Sequence, residues 1–115
     1  MSKENQEILK KHLQFTKERN WDQFQTPKNL CMALSVEASE LLEIFMWLNE
    51  KQVLELKENT VHAAGEELAD VFIYLLRLAH VLGIDLVEAS HKKMEKNIQK
   101  YPIETGLDLS SALQT

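Results

Sequence analysis

Little in this chain turns the backbone or cross-links it. The one cysteine, Cys31, has no partner for an internal disulfide. Three glycines and two prolines leave few breaker residues, and no stretch alternates apolar and polar side chains as a half-buried strand would. No apolar run reaches membrane length, and no leader-type apolar segment with a small-residue cleavage site is found, so the expected address is cytoplasmic, with no membrane partner. Positive charge is also scarce. Thirteen Lys and Arg against eighteen Asp and Glu give a net charge of −5, the wrong sign for a nucleic-acid surface. The 115 residues suit one domain with a small core, whose helices need a partner chain to cover their apolar faces.

What is present is helical periodicity almost throughout, and the expected fold is all-α, a bundle of four to five helices that assembles into an oligomer. A first helix is expected from Lys3 to Arg19, with Ile8, Leu9, His12 and Phe15 close to one stripe. Thr26 followed by Pro27 is a start signal, an N-cap and then proline at the first helical position, for a helix running to about Trp47. A short helical piece near Lys51 to Lys57 bridges to a fourth helix from about Thr60, which stops before Gly83. Asp85 and Glu88 have capping-box spacing for a fifth, ended by Pro102. The expected domain is residues 1–102, followed by a polar tail, 103–115, that is mobile or packs on another subunit.

Two acid pairs interrupt these apolar runs. Glu37-Ala38-Ser39-Glu40 and Glu67-Leu68-Ala69-Asp70 each place acids at i and i+3, on one side of a helix. Two such helices packed together bring the four carboxylates into one volume, where repulsion calls for a hard cation between them. Neither pair has the Glu-x-x-His pattern of a di-iron bundle, and Cys31 with His12, His62, His80 and His91 offers no paired zinc spacing. An all-carboxylate set points to Mg²⁺, or Mn²⁺ in its place. Glu43 and Glu66 flank the pairs as auxiliary ligands or solvated neighbours. A third signal lies in the last helix, where Lys93, Asn97 and Tyr101 recur every four residues. An ammonium, an amide and a phenol on one stripe can all donate to phosphate oxygens.

The ordered series Glu18-Arg19-Asn20-Trp21-Asp22-Gln23-Phe24, Pro27-Lys28-Asn29-Leu30, Glu37-x-x-Glu40, Trp47, Glu66-Glu67-Leu68-Ala69-Asp70-Val71 with Ile73-Tyr74-Leu75, and Lys93-Met94-x-x-Asn97-x-x-x-Tyr101-Pro102 resembles the MazG-like all-α nucleoside triphosphate pyrophosphohydrolases. It is most similar to their dCTP pyrophosphatase branch. The resemblance implies that Glu37, Glu40, Glu67 and Asp70 are catalytic Mg²⁺ ligands. It implies that Lys93, Asn97 and Tyr101 contact phosphate, and that His12, Trp21 and Trp47 line the pocket for the base. Gln25 stands where the branch often has histidine, Lys28 where it often has arginine, and Ser35 and Ser39 where glycines are common. Arg77 interrupts an otherwise apolar helix face.

The activity so implied is hydrolysis of a deoxynucleoside triphosphate, with dCTP or a modified dCTP foremost, to the monophosphate and pyrophosphate, as nucleotide-pool housekeeping. The expected assembly is a homodimer or homotetramer. The alternatives are a non-catalytic, nucleotide-binding or regulatory helical oligomer, and a di-metal oxidoreductase bundle.

Overall fold

Capping chemistry sets where the helices of this computed structural model begin, and residues 1–103 are described. Helix α1, Lys3–Glu18, starts on Ser2, whose Oγ accepts from the Asn5 N–H at 3.1 Å. Helix α2, Pro27–Met46, starts on Thr26 in the same way, Oγ1 to the Asn29 N–H at 3.2 Å, with proline at its first position as expected. The short α3, Glu50–Leu54, carries a full capping box between Asn49 and Gln52. Helix α4, Glu58–Leu82, begins two residues before the expected Thr60 and spans about 38 Å at 1.5 Å per residue. Helix α5 is Leu86–Lys100. No strand occurs among the described residues.

Two helices end in the same closure. Gly83 takes a left-handed conformation (φ 67°), and the N–H groups of Gly83 and Ile84 reach back to the carbonyls of His80 and Ala79 at 3.2 and 2.9 Å. At the end of α1 the left-handed residue is Asn20 (φ 57°), with Asn20 and Trp21 N–H groups bonded to the Lys17 and Thr16 carbonyls at 3.1 and 2.8 Å. Asparagine tolerates this region better than most residues with a Cβ. The reversal leads into a single 3-10 turn, Asp22–Phe24, that sequence periodicity does not announce. It sets Trp21 and Asp22 back against α1.

The chain divides into two units, Met1–Asp85 and a second that opens at Leu86 and holds α5. In the first, α4 packs along α2 and against α1, and α1 packs on the 3-10 turn. Its core is small. Leu9, Leu30, Ala64, Leu76 and Ala79 are its buried apolar side chains, with Thr16 and Arg77 buried among the polar ones. In the second, Lys92 pairs with Glu88 at 2.9 Å, and the Tyr101 N–H continues the helical ladder to the Asn97 carbonyl. Apart from Ile103, the expected tail lies outside the described residues. No described helix is long and apolar enough to cross a membrane.

Candidate metal centre and cleft

The packing of α4 on α2 brings acids from both pairs together. Single carboxylate oxygens of Glu37, Glu67 and Asp70 lie within 4.8 Å of one another. Glu40 is exposed but close enough to hydrogen-bond with both Glu37 and Glu67. Burial is the largest influence on Glu37, followed by hydrogen bonds to Glu67 and Glu40 and repulsion from Glu40 and Asp70, and its carboxyl is pushed up to about 7. Glu67 is raised as well, first by burial, with its hydrogen bond to Glu37 working in the opposite direction. Both carboxyls are thus held above the ordinary carboxylate range by burial and by their acidic neighbours.

One oxygen of each of these residues, Glu37 Oε2 and Glu67 Oε2, is buried and has no hydrogen-bond partner. An acceptor left so gives up the hydrogen bonds it would make with water. A hard divalent cation would satisfy both atoms, hold Glu37 ionised and offset the repulsion, so the donor set fits such an ion. Glu66 is turned elsewhere, its Oε1 3.0 Å from His62 Nε2 on the exposed side of α4, and Glu43 is exposed.

A cleft of about 640 Å³ adjoins the acids, with Glu37 and Asp70 in its wall. Its other side is aromatic and comes from α1, the 3-10 turn and α4. Phe15 meets Trp21 edge to face (centroids 5.6 Å), Tyr74 meets His12 likewise (5.6 Å), and His12 and Phe15 are stacked at 6.3 Å. Arg19 lies over the outer face of this group, 3.8 Å from the Phe15 centroid. A flat ligand with one charged end fits such a space, rings against rings and charge toward a cation held by the acids. Tyr74, part of the family-like series but given no role by it, sits four residues after Asp70, one turn along the same face. Its phenol is raised first by burial and then by Glu37 and Asp70.

Behind the cleft a polar cluster forms around buried Arg77 and Thr16. Arg77, 5% exposed, donates to Thr16 Oγ1 at 3.0 Å, lies 3.7 Å from Asp22 and 3.4 Å from His12 Nδ1. Thr16 Oγ1 in turn lies 2.9 Å from Asp22 Oδ1. The charge that breaks the apolar face of α4 thus has three partners, contributed by α1 and the turn.

Of the ten residues the sequence nominates, the structure gathers Glu37, Glu40, Glu67, Asp70, His12 and Trp21 around one volume. Trp47 caps the end of α2, is 81% exposed and is not in the cleft wall. Lys93 and Asn97 share a side of α5 in the second unit and Tyr101 follows its last residue; Asn97 is half-buried and Tyr101 exposed.

The MazG-like family profile matches residues 32–114, which take in both acid pairs. The chain belongs to the MazG-like family. Among proteins it resembles is dCTP pyrophosphatase 1 of Rattus norvegicus, 41% identical over 102 residues, covering 85% of this chain and 59% of the relative. The Homo sapiens protein of the same name is 40% identical over 101 residues, covering 84% and 58%. This MazG-like chain spans a little under three-fifths of the length of those curated relatives. A crystal structure of a pyrophosphatase from Archaeoglobus fulgidus superposes with a TM-score of 0.80 at 41% identity, covering 90% of this chain and 96% of that one.

Proposed function

We propose that this MazG-like chain is a divalent-metal-dependent nucleoside triphosphate pyrophosphohydrolase. Water is added across the α–β phosphoanhydride of a deoxynucleoside triphosphate, giving the monophosphate and pyrophosphate. The observation that carries the reading is the meeting of three carboxylates, two with buried unpartnered oxygens, at the wall of an aromatic cleft.

Glu37, Glu67 and Asp70, with Glu40 beside them, would hold Mg²⁺, with Mn²⁺ able to substitute. When bound, such an ion screens phosphate charge and makes water more acidic. The chain's own part is to bind and orient. Trp21 and Phe15 give the base apolar ring faces, His12 gives it a polar edge, and the acids bring the phosphates to that end of the cleft. Lys93, Asn97, Tyr101 and Trp47 enter the proposal through the family resemblance, the first three as donors to phosphate oxygens and Trp47 as a wall for the base. The relatives named dCTP pyrophosphatase 1 support cytosine as the base; removal of surplus or modified dCTP is the purpose the reading assigns.

The test is a panel of canonical and 5-substituted deoxynucleoside triphosphates incubated with Mg²⁺ and resolved by HPLC. The expected products are dNMP and pyrophosphate in equal amounts, fastest from dCTP or an analogue, and abolished by EDTA. Release of orthophosphate instead, or binding without turnover in both Mg²⁺ and Mn²⁺, would overturn the reaction. Faster turnover of dATP or dUTP would overturn the base alone.

A further inference from the structure

The cleft holds one feature that the reaction does not require, a histidine backed by a buried arginine. A guanidinium donates five N–H groups and accepts nothing. Arg77 Nη1 lies 3.4 Å from His12 Nδ1, so that nitrogen can bond only through its lone pair. A neutral imidazole with a bare Nδ1 carries its proton on Nε2. A second proton would point Nδ1–H at the guanidinium. Burial first and the Arg77 charge second both hold the His12 pKa below its ordinary value, in keeping with a neutral ring.

Arg77 is itself fixed. Thr16 accepts its hydrogen bond, Asp22 draws its other Nη, and Thr16 and Asp22 are bonded to each other. Its side chain is 6% exposed, so solvent does little to loosen it. The two nitrogens of an imidazole face nearly opposite ways, so with Nδ1 turned to Arg77 the Nε2–H is directed away from the buried cluster. The His12 ring lines the cleft between Phe15 and Tyr74, which limit its rotation.

We propose that Arg77 is a positioning residue that locks His12 as the Nε2–H tautomer, making the cleft's polar edge a fixed hydrogen-bond donor that selects bases with an unprotonated ring nitrogen. This rests on the nucleotide reading of the cleft. Cytosine offers its bare N3 to such a donor, whereas the N3 of uracil and thymine carries a hydrogen and meets it head on. A site with a fixed donor gains its selectivity from the mismatch, because the wrong base leaves a buried polar pair unmade. The same guanidinium ties α4 to Asp22, the neighbour of Trp21, so one side chain sets both the ring that stacks and the ring that hydrogen-bonds.

The first experiment needs neither substrate nor metal. Long-range ¹H–¹⁵N correlation NMR of the wild-type protein at neutral pH distinguishes protonated from bare ring nitrogens. A single His12 tautomer protonated at Nε2 is expected, and a proton on Nδ1, or a mixture, overturns the proposal. Arg77→Met should turn His12 into a mixture of tautomers, and Arg77→Lys, which keeps a donor, should restore Nε2–H at least in part. An unchanged ring in Arg77→Met also overturns it. Should Arg77→Met fail to fold, Thr16→Val frees the guanidinium from one anchor and should broaden the same signals.

In turnover, Arg77→Met should narrow the preference in kcat/KM for dCTP over dUTP by about tenfold or more, through KM rather than kcat. An equal loss with both nucleotides would mark Arg77 as merely structural and overturn its part in selection. A wild-type protein with the locked tautomer but no triphosphate cleavage would sink the enzymatic reading and the selection with it, leaving the lock itself demonstrated.

Discussion

Glu37 holds its proton up to about pH 7 because burial, Glu67, Glu40 and Asp70 all disfavour its charge. Its folded value lies above the ordinary 4.5, so the folded state binds more protons than the unfolded one between these limits. The contribution of Glu37 to stability is thus fully present below 4.5 and is lost as pH rises through about 7. In metal-free protein, the difference in Tm between Glu37→Gln and wild type should grow across that window, in favour of the variant, when followed by differential scanning fluorimetry. A flat difference would contradict it. Saturating Mg²⁺ should reverse the order, since only the wild type regains a binding partner for the ionised group. At the same scale, Glu67→Gln and Asp70→Asn should each weaken Mg²⁺ binding by about 100-fold or more in calorimetric titration, because each removes one charged oxygen donor from the set. Full affinity in either variant would take that acid out of the ligand set.

At the scale of elements, helix ends matter as much as helix faces. Thr26 satisfies the Asn29 N–H, and Thr26→Ala should destabilise the protein by about 1 kcal/mol in urea unfolding. Asn20 is the more telling residue, since its left-handed turn carries the chain from α1 to Trp21 and Asp22. Asn20→Gly should leave stability within about 0.5 kcal/mol, whereas Asn20→Val should cost about 1–2 kcal/mol and alter the near-ultraviolet circular dichroism of Trp21. Equal behaviour of the two variants would show that the backbone conformation at this position has no bearing on the indole. Much of the fold could be read at this scale. Proline at the start of α2, glycine at the end of α4 and the 3.6-residue apolar period locate the long helices to within about two residues. The 3-10 turn was not legible, because three residues between helices carry too little periodicity to register.

At the scale of the whole molecule, apolar surface is left uncovered. Met32, Val36, Leu42, Met46 and Trp47 along α2 and Val61, Leu68 and Phe72 along α4 are all exposed, while Leu30 and Leu76 are the large apolar side chains most fully enclosed. So much exposed apolar side chain beside so small a core is the reason a partner chain is expected from the sequence. The homodimer or homotetramer expected from the sequence should raise Tm with protein concentration and give a dimer or tetramer by light scattering. A monomeric mass with a concentration-independent Tm would exclude it. Within a chain so placed, Leu76→Ala should cost about 2–5 kcal/mol, because the cavity it leaves cannot refill from the helices around it.

The chemistry at each position was settled by the sequence itself, because it depends on residue type and helical spacing. Acids at i and i+3 share a helix face wherever the helix goes, and an all-carboxylate set with one cysteine and unpaired histidines favours a hard cation. His12 and Trp21 could be nominated through their order in the family's series. Only the tertiary structure decided what these residues meet. The pairing of Glu37 with Glu67, the two orphaned oxygens, and the burial that raises Glu37 follow from α4 lying against α2. Arg77 looked like an interruption because its partners, His12, Thr16 and Asp22, lie more than fifty residues away along the chain. A buried charge is satisfied through space rather than along the chain, and spacing within a helix carries no record of what the next helix brings to it.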